Sequence, residues 1–314
     1  MISSGQTIRI GIATYPRAQQ AAVLGLKDLL QSAGRFQQAG ATIPRTFQVE
    51  LVDSFSPDEF KGFDTVILPP CLGARPEGKE LASVVRWIAR QHAQGALICS
   101  ICAGAFALAE TGLLNGRQAT THWALAKEFA DTFPEVRLEA SRLIIDDGDV
   151  VTAGGLMAWM DLGLKLVARY LGPAVMLETA RYFLIDPGER EQSYYNLFAP
   201  NLTHGDAGVL KVQHWLQANF QSAVTVPQMA SVARQEERTF LRRFRASTGL
   251  NPSEYLQRLR ISKARERLEL TTASIETIAL EVGYLDVSAF RKLFQKIVGL
   301  SPREYRKRFA PAGG

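Results

Sequence analysis

Apolar residues in the front part of the chain fall into short blocks separated by helical stretches. Ile8–Ala13 (IRIGIA) and Phe47–Val52 (FQVELV) have the composition of strands. Thr65–Pro70 (TVILPP) and Ala96–Ile101 (ALICSI) are continuous apolar runs, as expected for parallel strands covered on both faces. Between these blocks, Ala18–Gln31 and Lys79–Gln94 repeat their apolar positions with a helical period. A further strand is expected at Asp149–Thr152, ahead of Gly154-Gly155. The alternation predicts an α/β domain with a doubly wound, mostly parallel sheet.

From Val209 the pattern is helical throughout, and it repeats. GLNPSEY at Gly249–Tyr255 returns as GLSPREY at Gly299–Tyr305. Upstream, Thr225, Val226, Met229 and Ala230 match Ser274, Ile275, Ile278 and Ala279, and Phe244 matches Phe294. Each copy predicts a helix–turn–helix, at about 225–245 and 274–295. In the second, Ser274 suits an N-cap, Ile275, Ile278, Ala279 and Val282 form the apolar stripe, and Gly283 ends the helix. Asp286 then caps a helix whose Phe290 and Phe294 face inward. In the first copy Phe240 and Phe244 are the inward pair, and Glu236 is a poor residue for the cap. Pro252–Leu270 is expected to be a connecting helix carrying Arg258, Arg260, Lys263, Arg265 and Arg267.

Charge separates the two parts. The 314 residues carry a net charge of +5. From Val209 onward there are 18 Lys+Arg against 9 Asp+Glu, and before it 18 against 22. A basic tail behind an acidic front suggests a polyanion partner for the tail and a small ligand for the front. A helix of this size fits the DNA major groove, and Arg can make paired contacts to guanine. The outward candidates are Arg238, Thr239, Arg242 and Arg243 in the first copy, and Ser288, Arg291 and Lys292 in the second.

Three cysteines are too few for a disulfide framework, which points to a reducing compartment. No basic-then-apolar leader opens the chain, and the uncharged run Gly95–Ala109 is too short to span a membrane. A cytoplasmic protein without membrane contact is expected. His92, His122, His204 and His214 show no metal-ligand spacing, and Gly154-Gly155 lacks the Lys-Ser/Thr of a phosphate loop, so no metal or cofactor is expected.

The stretch ALICSICAGAF holds Cys99 and Cys102. On a strand these lie roughly 10 Å apart, beyond the about 7 Å that a disulfide allows. Cys102 instead falls where a strand ends and a helix, Ala103–Glu110, begins. Ser100-x-Cys102-x-Gly104 is similar to the strand–turn–helix elbow that lifts a nucleophile above a sheet edge. Such an elbow aims backbone N–H groups and a helix N-terminus at its ligand, which favours anions.

The tail, about residues 209–309, resembles the AraC/XylS family of transcriptional regulators. The resemblance rests on the paired units, on Ala279–Tyr284, on Phe290 and Phe294, and on the two G-L-x-P-x-E-Y segments. The front, about residues 7–190, resembles the glutamine-amidotransferase-like superfamily in its PfpI branch. The matching segments are SICAGAFALAETGLLNGRQATTHW (100–123) and VVTAGGLMAWMDLGLKLV (150–167).

By these resemblances residues 1–190 form a flavodoxin-like ligand-sensing and dimerisation domain with Cys102 at the nucleophile position and His122 beside it. Residues 191–208 form a linker, and 209–314 an all-α DNA-binding domain. The resemblance implies a regulator acting on double-stranded DNA as a homodimer, as an activator working with RNA polymerase. Its effector would be an amino acid or a quaternary-ammonium compound. Tyr15, Cys71, Gly73, Cys102, Ala103, His122 and Trp159 are the expected ligand-binding residues, with Tyr15 and Trp159 available to box a cationic head. The alternative is a cysteine-dependent amidase or deglycase-like enzyme with a DNA-binding tail. Against it, the segment TYPRAQQAA after the first strand holds no acid, and Pro70-Cys71 replaces the Gly-Gly of the oxyanion loop. Proline has no N–H to donate.

Overall fold

The computed structural model describes residues 6–37, 45–56, 61–73, 75–188, 191–195, 198 and 200–310. The chain separates into two compact units, Met1–Gln192 and Ser193–Gly314.

In the first unit the elements are β1 (Gln6–Ala13), α1 (Gln20–Ala33), β2 (Arg45–Val52), β3 (Thr65–Leu68), α2 (Gly78–Ala93), β4 (Leu97–Ile101) and α3 (Gly104–Ala109). They continue with β5 (Gln118–Ala119), α4 (Ala126–Thr132), β6 (Arg137–Leu138), β7 (Ile144–Asp146), β8 (Val150–Ala153), α5 (Trp159–Leu171) and α6 (Pro173–Phe183). Six strands form one sheet in the order β2-β1-β3-β4-β8-β7. All its pairs are parallel except the edge pair β7–β8. Strand β3 stops at Leu68 rather than at Pro70, because proline cannot donate to the ladder. The apolar runs form the centre: Val66, Ile67, Leu68, Ile98, Cys99 and Ile101 are fully buried. Helices α1, α5 and α6 pack together, and α2 and α3 pack against β4. Among the described residues, no helix is long and apolar enough to cross a membrane.

The second unit is helical: α7 (Ala207–Asn219), α8 (Val226–Ala233), α9 (Glu237–Thr248), α10 (Pro252–Leu270), α11 (Ile275–Glu281), α12 (Val287–Val298) and α13 (Pro302–Phe309). It has two cores. One gathers Met229, Phe240, Phe244, Tyr255 and Leu259 with α7. The other gathers Ile261, Ala264, Ile278, Phe290, Phe294 and Tyr305. Helix α10 gives its first half to one core and its second half to the other.

The repeated heptapeptide is a helix stop followed by a helix start. Gly249 and Gly299 end α9 and α12 in the left-handed conformation, at φ 75° and 89°. Asn251 and Ser301 cap the next helices by accepting from the N–H groups of Glu254 and Glu304. Pro252 and Pro302 open those helices, and Tyr255 and Tyr305 turn into the cores.

Within the segment expected as a linker, residues 196, 197 and 199 lie outside the described residues. Gln192 is buried in the first unit, where its side-chain amide donates to Thr121 O at 2.8 Å and Arg142 O at 2.9 Å.

Candidate functional site

Cys102 directly follows β4 and has φ 55°, a left-handed conformation that a side chain other than glycine rarely adopts. Its surroundings hold it there. Its N–H donates to Ala153 O at 2.7 Å, and Thr121 Oγ1 donates to its carbonyl at 2.8 Å. The next turn passes so close to β3 that a Cβ on Gly104 would lie 2.7 Å from Leu68 O. Glycine is therefore required at 104. Helix α3 follows at once, from Gly104 to Ala109, with Ala103 at its N-cap.

A cavity of about 430 Å³ opens beside this elbow. The structure brings Cys71, Gly73, Cys102, Ala103 and His122 to its wall. It does not bring Tyr15 or Trp159. Tyr15 is buried behind the wall and its hydroxyl donates to Pro69 O. Trp159 lies against α1 instead, in the space that a Cβ on Gly25 would fill. The aromatic box expected from these two residues is thus not formed at the cavity.

Sequence reasoning missed Arg75, Glu77 and Glu128, which also line the cavity. Arg75 and Glu77 follow Gly73 by two and four residues and Glu128 comes from α4, and no local pattern marks any of them. The Arg75 guanidinium sits 3.7 Å from the Phe106 ring centroid and pairs with the Glu128 carboxylate. That hydrogen bond holds Glu128 below the usual carboxylate range.

Electrostatics leave the thiol protonated. Burial pushes the Cys102 thiol up to about 11, only partly offset by the Ala103 N–H. Burial also lowers the pKa of His122, whose Nδ1 accepts from Ala124 N–H at 3.1 Å. The elbow therefore presents a neutral thiol near a neutral imidazole. In the loop after β3, Pro70 has no N–H and Leu72 N–H is committed to Arg17 O at 2.8 Å.

In the second unit, α9 and α12 occupy the recognition positions of the two copies. Arg238 and Arg242 are exposed on α9, with Thr239 half-buried between them. Ser288 and Lys292 are exposed on α12. Two other candidates are engaged within the unit: Arg243 Nε meets Asp206 Oδ2 at 2.8 Å, and Arg291 Nη2 meets Glu276 Oε1 at 2.6 Å. Basic residues of α10 are engaged too. Arg260 donates to Phe220 O and Ser222 O, each at 2.8 Å, and Arg265 to Tyr305 Oη at 2.8 Å. The poor cap at α9 is real, since Glu236 makes no side-chain cap bond, whereas Asp286 accepts from Ser288 and Ala289 N–H on α12.

The DJ-1/PfpI family profile matches residues 46–169, and the helix-turn-helix domain family profile matches residues 229–308. The HTH-type transcriptional regulator GbdR of Pseudomonas aeruginosa is 26% identical over 251 residues, covering 80% of this chain and 68% of its own length. The HTH-type transcriptional regulator ArgR of the same species is 29% identical over 213 residues, 68% of this chain and 64% of its own. An isonitrile hydratase of Pseudomonas putida is 26% identical over 171 residues, 52% of this chain and 73% of its own. This chain joins a DJ-1/PfpI domain to a DNA-binding helix–turn–helix domain of the AraC type. Its similarity to GbdR and ArgR spans most of the chain and makes it a relative of transcriptional regulators.

Proposed function

We propose that this chain is a sequence-specific transcriptional regulator controlled by a small metabolite held in the Cys102 cavity. The observation that carries the DNA part is the pair of outward faces. Arg238 and Arg242 on one helix, and Ser288 and Lys292 on its repeat, stand exposed without an ion-pair partner among the described residues. A homodimer acting in the cytoplasm as an activator, through RNA polymerase, belongs to the same reading, because symmetric dimers commonly read paired half-sites.

The cavity favours a zwitterion. The Arg75–Glu128 pair and Glu77 offer one cation and two carboxylates at its wall. A ligand carboxylate would take Arg75, and a ligand ammonium would take Glu77 or Glu128. With Tyr15 and Trp159 elsewhere, a primary or secondary amine fits better than a quaternary one, so an amino acid is the preferred effector.

Two measurements test this. A thermal-shift screen of amino acids and betaines should find one that stabilises the full chain. A ligand at 100 times its Kd adds about 2.7 kcal/mol. Arg75→Ala should remove that shift. Selection from randomised duplex DNA should enrich a defined site, and no enrichment would sink the DNA-reading proposal.

The left-handed Cys102 and the hydratase relative favour a second reading, a cysteine-dependent enzyme. It requires a thiolate. A thiol near 11 instead has about a hundredfold less thiolate at pH 7 than an ordinary cysteine. The rate of Cys102 alkylation by iodoacetamide should therefore keep rising beyond pH 9, with Cys102→Ala as the blank. A plateau reached below pH 8 would favour the enzyme.

A further inference from the structure

The two helix–turn–helix copies differ by one residue, and its position is informative. In the first copy the turn runs Arg234, Gln235 and then the cap Glu236. In the second it runs Gly283, Tyr284, Leu285 and then the cap Asp286. Backbone bonds align the two. Gln235 N–H donates to Ala230 O at 3.0 Å, and Tyr284 N–H donates to Ala279 O at 2.9 Å. Gln235 and Tyr284 are therefore equivalent, and Leu285 is the added residue.

Leu285 is 93% exposed. Single exposed leucines are ordinary on protein surfaces, so exposure alone says little. A leucine just before an N-cap usually packs on the fourth helical residue as a hydrophobic staple. That residue is Phe290, but Tyr284 covers it instead, with ring centroids 5.6 Å apart. Leu285 thus has no packing role and stands at the N-terminal end of α12. In a helix–turn–helix, that end of the recognition helix meets base edges.

The first turn of α12, Val287–Phe290, carries no charged side chain. Ser288 and Ala289 are exposed, Val287 is half-buried, and Arg291 is paired with Glu276, while the exposed lysines, Lys292 and Lys296, lie further along the helix. Helix α9 by contrast carries an exposed arginine, Arg238, in its first turn, with Arg242 and Arg245 exposed beyond it. An apolar group beside small residues matches the one apolar feature of the major groove, the thymine C5-methyl.

We infer that Leu285 is a specificity-determining residue that contacts a thymine methyl in the site read by α12. This rests on the DNA-reading proposal above. It assigns mainly methyl readout to the second copy and arginine readout to the first.

The test is selection from a randomised duplex library with the full chain and with Leu285→Ser, whose melting temperature should match because the side chain is exposed. Each thymine of the selected duplex is then replaced in turn by uracil, which removes only the methyl. The wild-type chain should lose about threefold to fivefold in affinity at one position. Leu285→Ser should lose nothing further there and should select that thymine less strongly. Equal effects of every replacement on both proteins would overturn the inference. So would a Leu285→Ser variant that keeps wild-type DNA selection but fails to activate RNA polymerase in a purified transcription assay, since the leucine would then dock protein. If neither protein enriches any sequence, the DNA-reading proposal falls and takes this inference with it.

Discussion

In the first helix–turn–helix copy, Phe240, Phe244 and Tyr255 pack ring against ring with centroids 5.4 and 5.3 Å apart; in the second, Phe290, Phe294 and Tyr305 do so at 5.8 and 5.6 Å. All six rings are buried. Outside, the copies part. The first shows exposed arginines and an unsatisfied cap; the second shows a good cap, exposed lysines at 292 and 296 and an added leucine. Packing explains the contrast. An interior ring is held by many neighbours at once, so changing one demands changing several. An exterior side chain answers only to solvent and to whatever binds there.

The largest effect should come from the shared interior. Phe240→Ala and Phe290→Ala should each cost about 3–5 kcal/mol of unfolding free energy, by denaturant titration. Because each copy has its own core on α10, the two losses should be similar. A difference above about 2 kcal/mol would break the equivalence of the copies.

The outer faces should differ next. Arg242→Ala should weaken binding to the selected site by about 1–3 kcal/mol and relax its sequence preference. Lys292→Ala should weaken binding to all DNA alike and lower the salt slope by about one. Equal loss of sequence preference from both substitutions would erase the contrast drawn between α9 and α12.

The caps give the smallest effect. Asp286→Ala should cost about 1 kcal/mol, since Ser288 and Ala289 N–H groups lose their acceptor. Glu236→Ser should instead gain about 0.5–1 kcal/mol, because the N-terminal N–H groups of α9 gain an acceptor. Thermal melting of the two variants should therefore move in opposite directions.

The elbow unit was legible to a different depth. Its central strands could be read directly, because continuous apolar runs have no other place than a sheet covered on both faces. Cys102 could be placed at a strand end, next to glycine and alanine. The walls of its cavity could not. Tyr15 and Trp159 carry the right chemistry in the right segments, yet one turns to Pro69 O and the other to α1. Arg75 and Glu128 meet across 53 positions of sequence, and nothing local foretells it. Arg243 and Arg291 look like free groove-facing cations until Asp206 and Glu276 are seen beside them.

The sequence alone determined the parts with local physical demands. Glycine before Asn or Ser, then Pro, Glu and Tyr, is a helix stop, cap, first turn and core anchor in order, and each role depends on neighbours within a few residues. The tertiary structure decided what depends on distant neighbours: which side chains share a cavity, how far burial raises the Cys102 thiol, and which arginines are spent on carboxylates before any DNA arrives. Capping and periodicity act along the chain, whereas desolvation and ion pairing act through space, and only the fold supplies those separations.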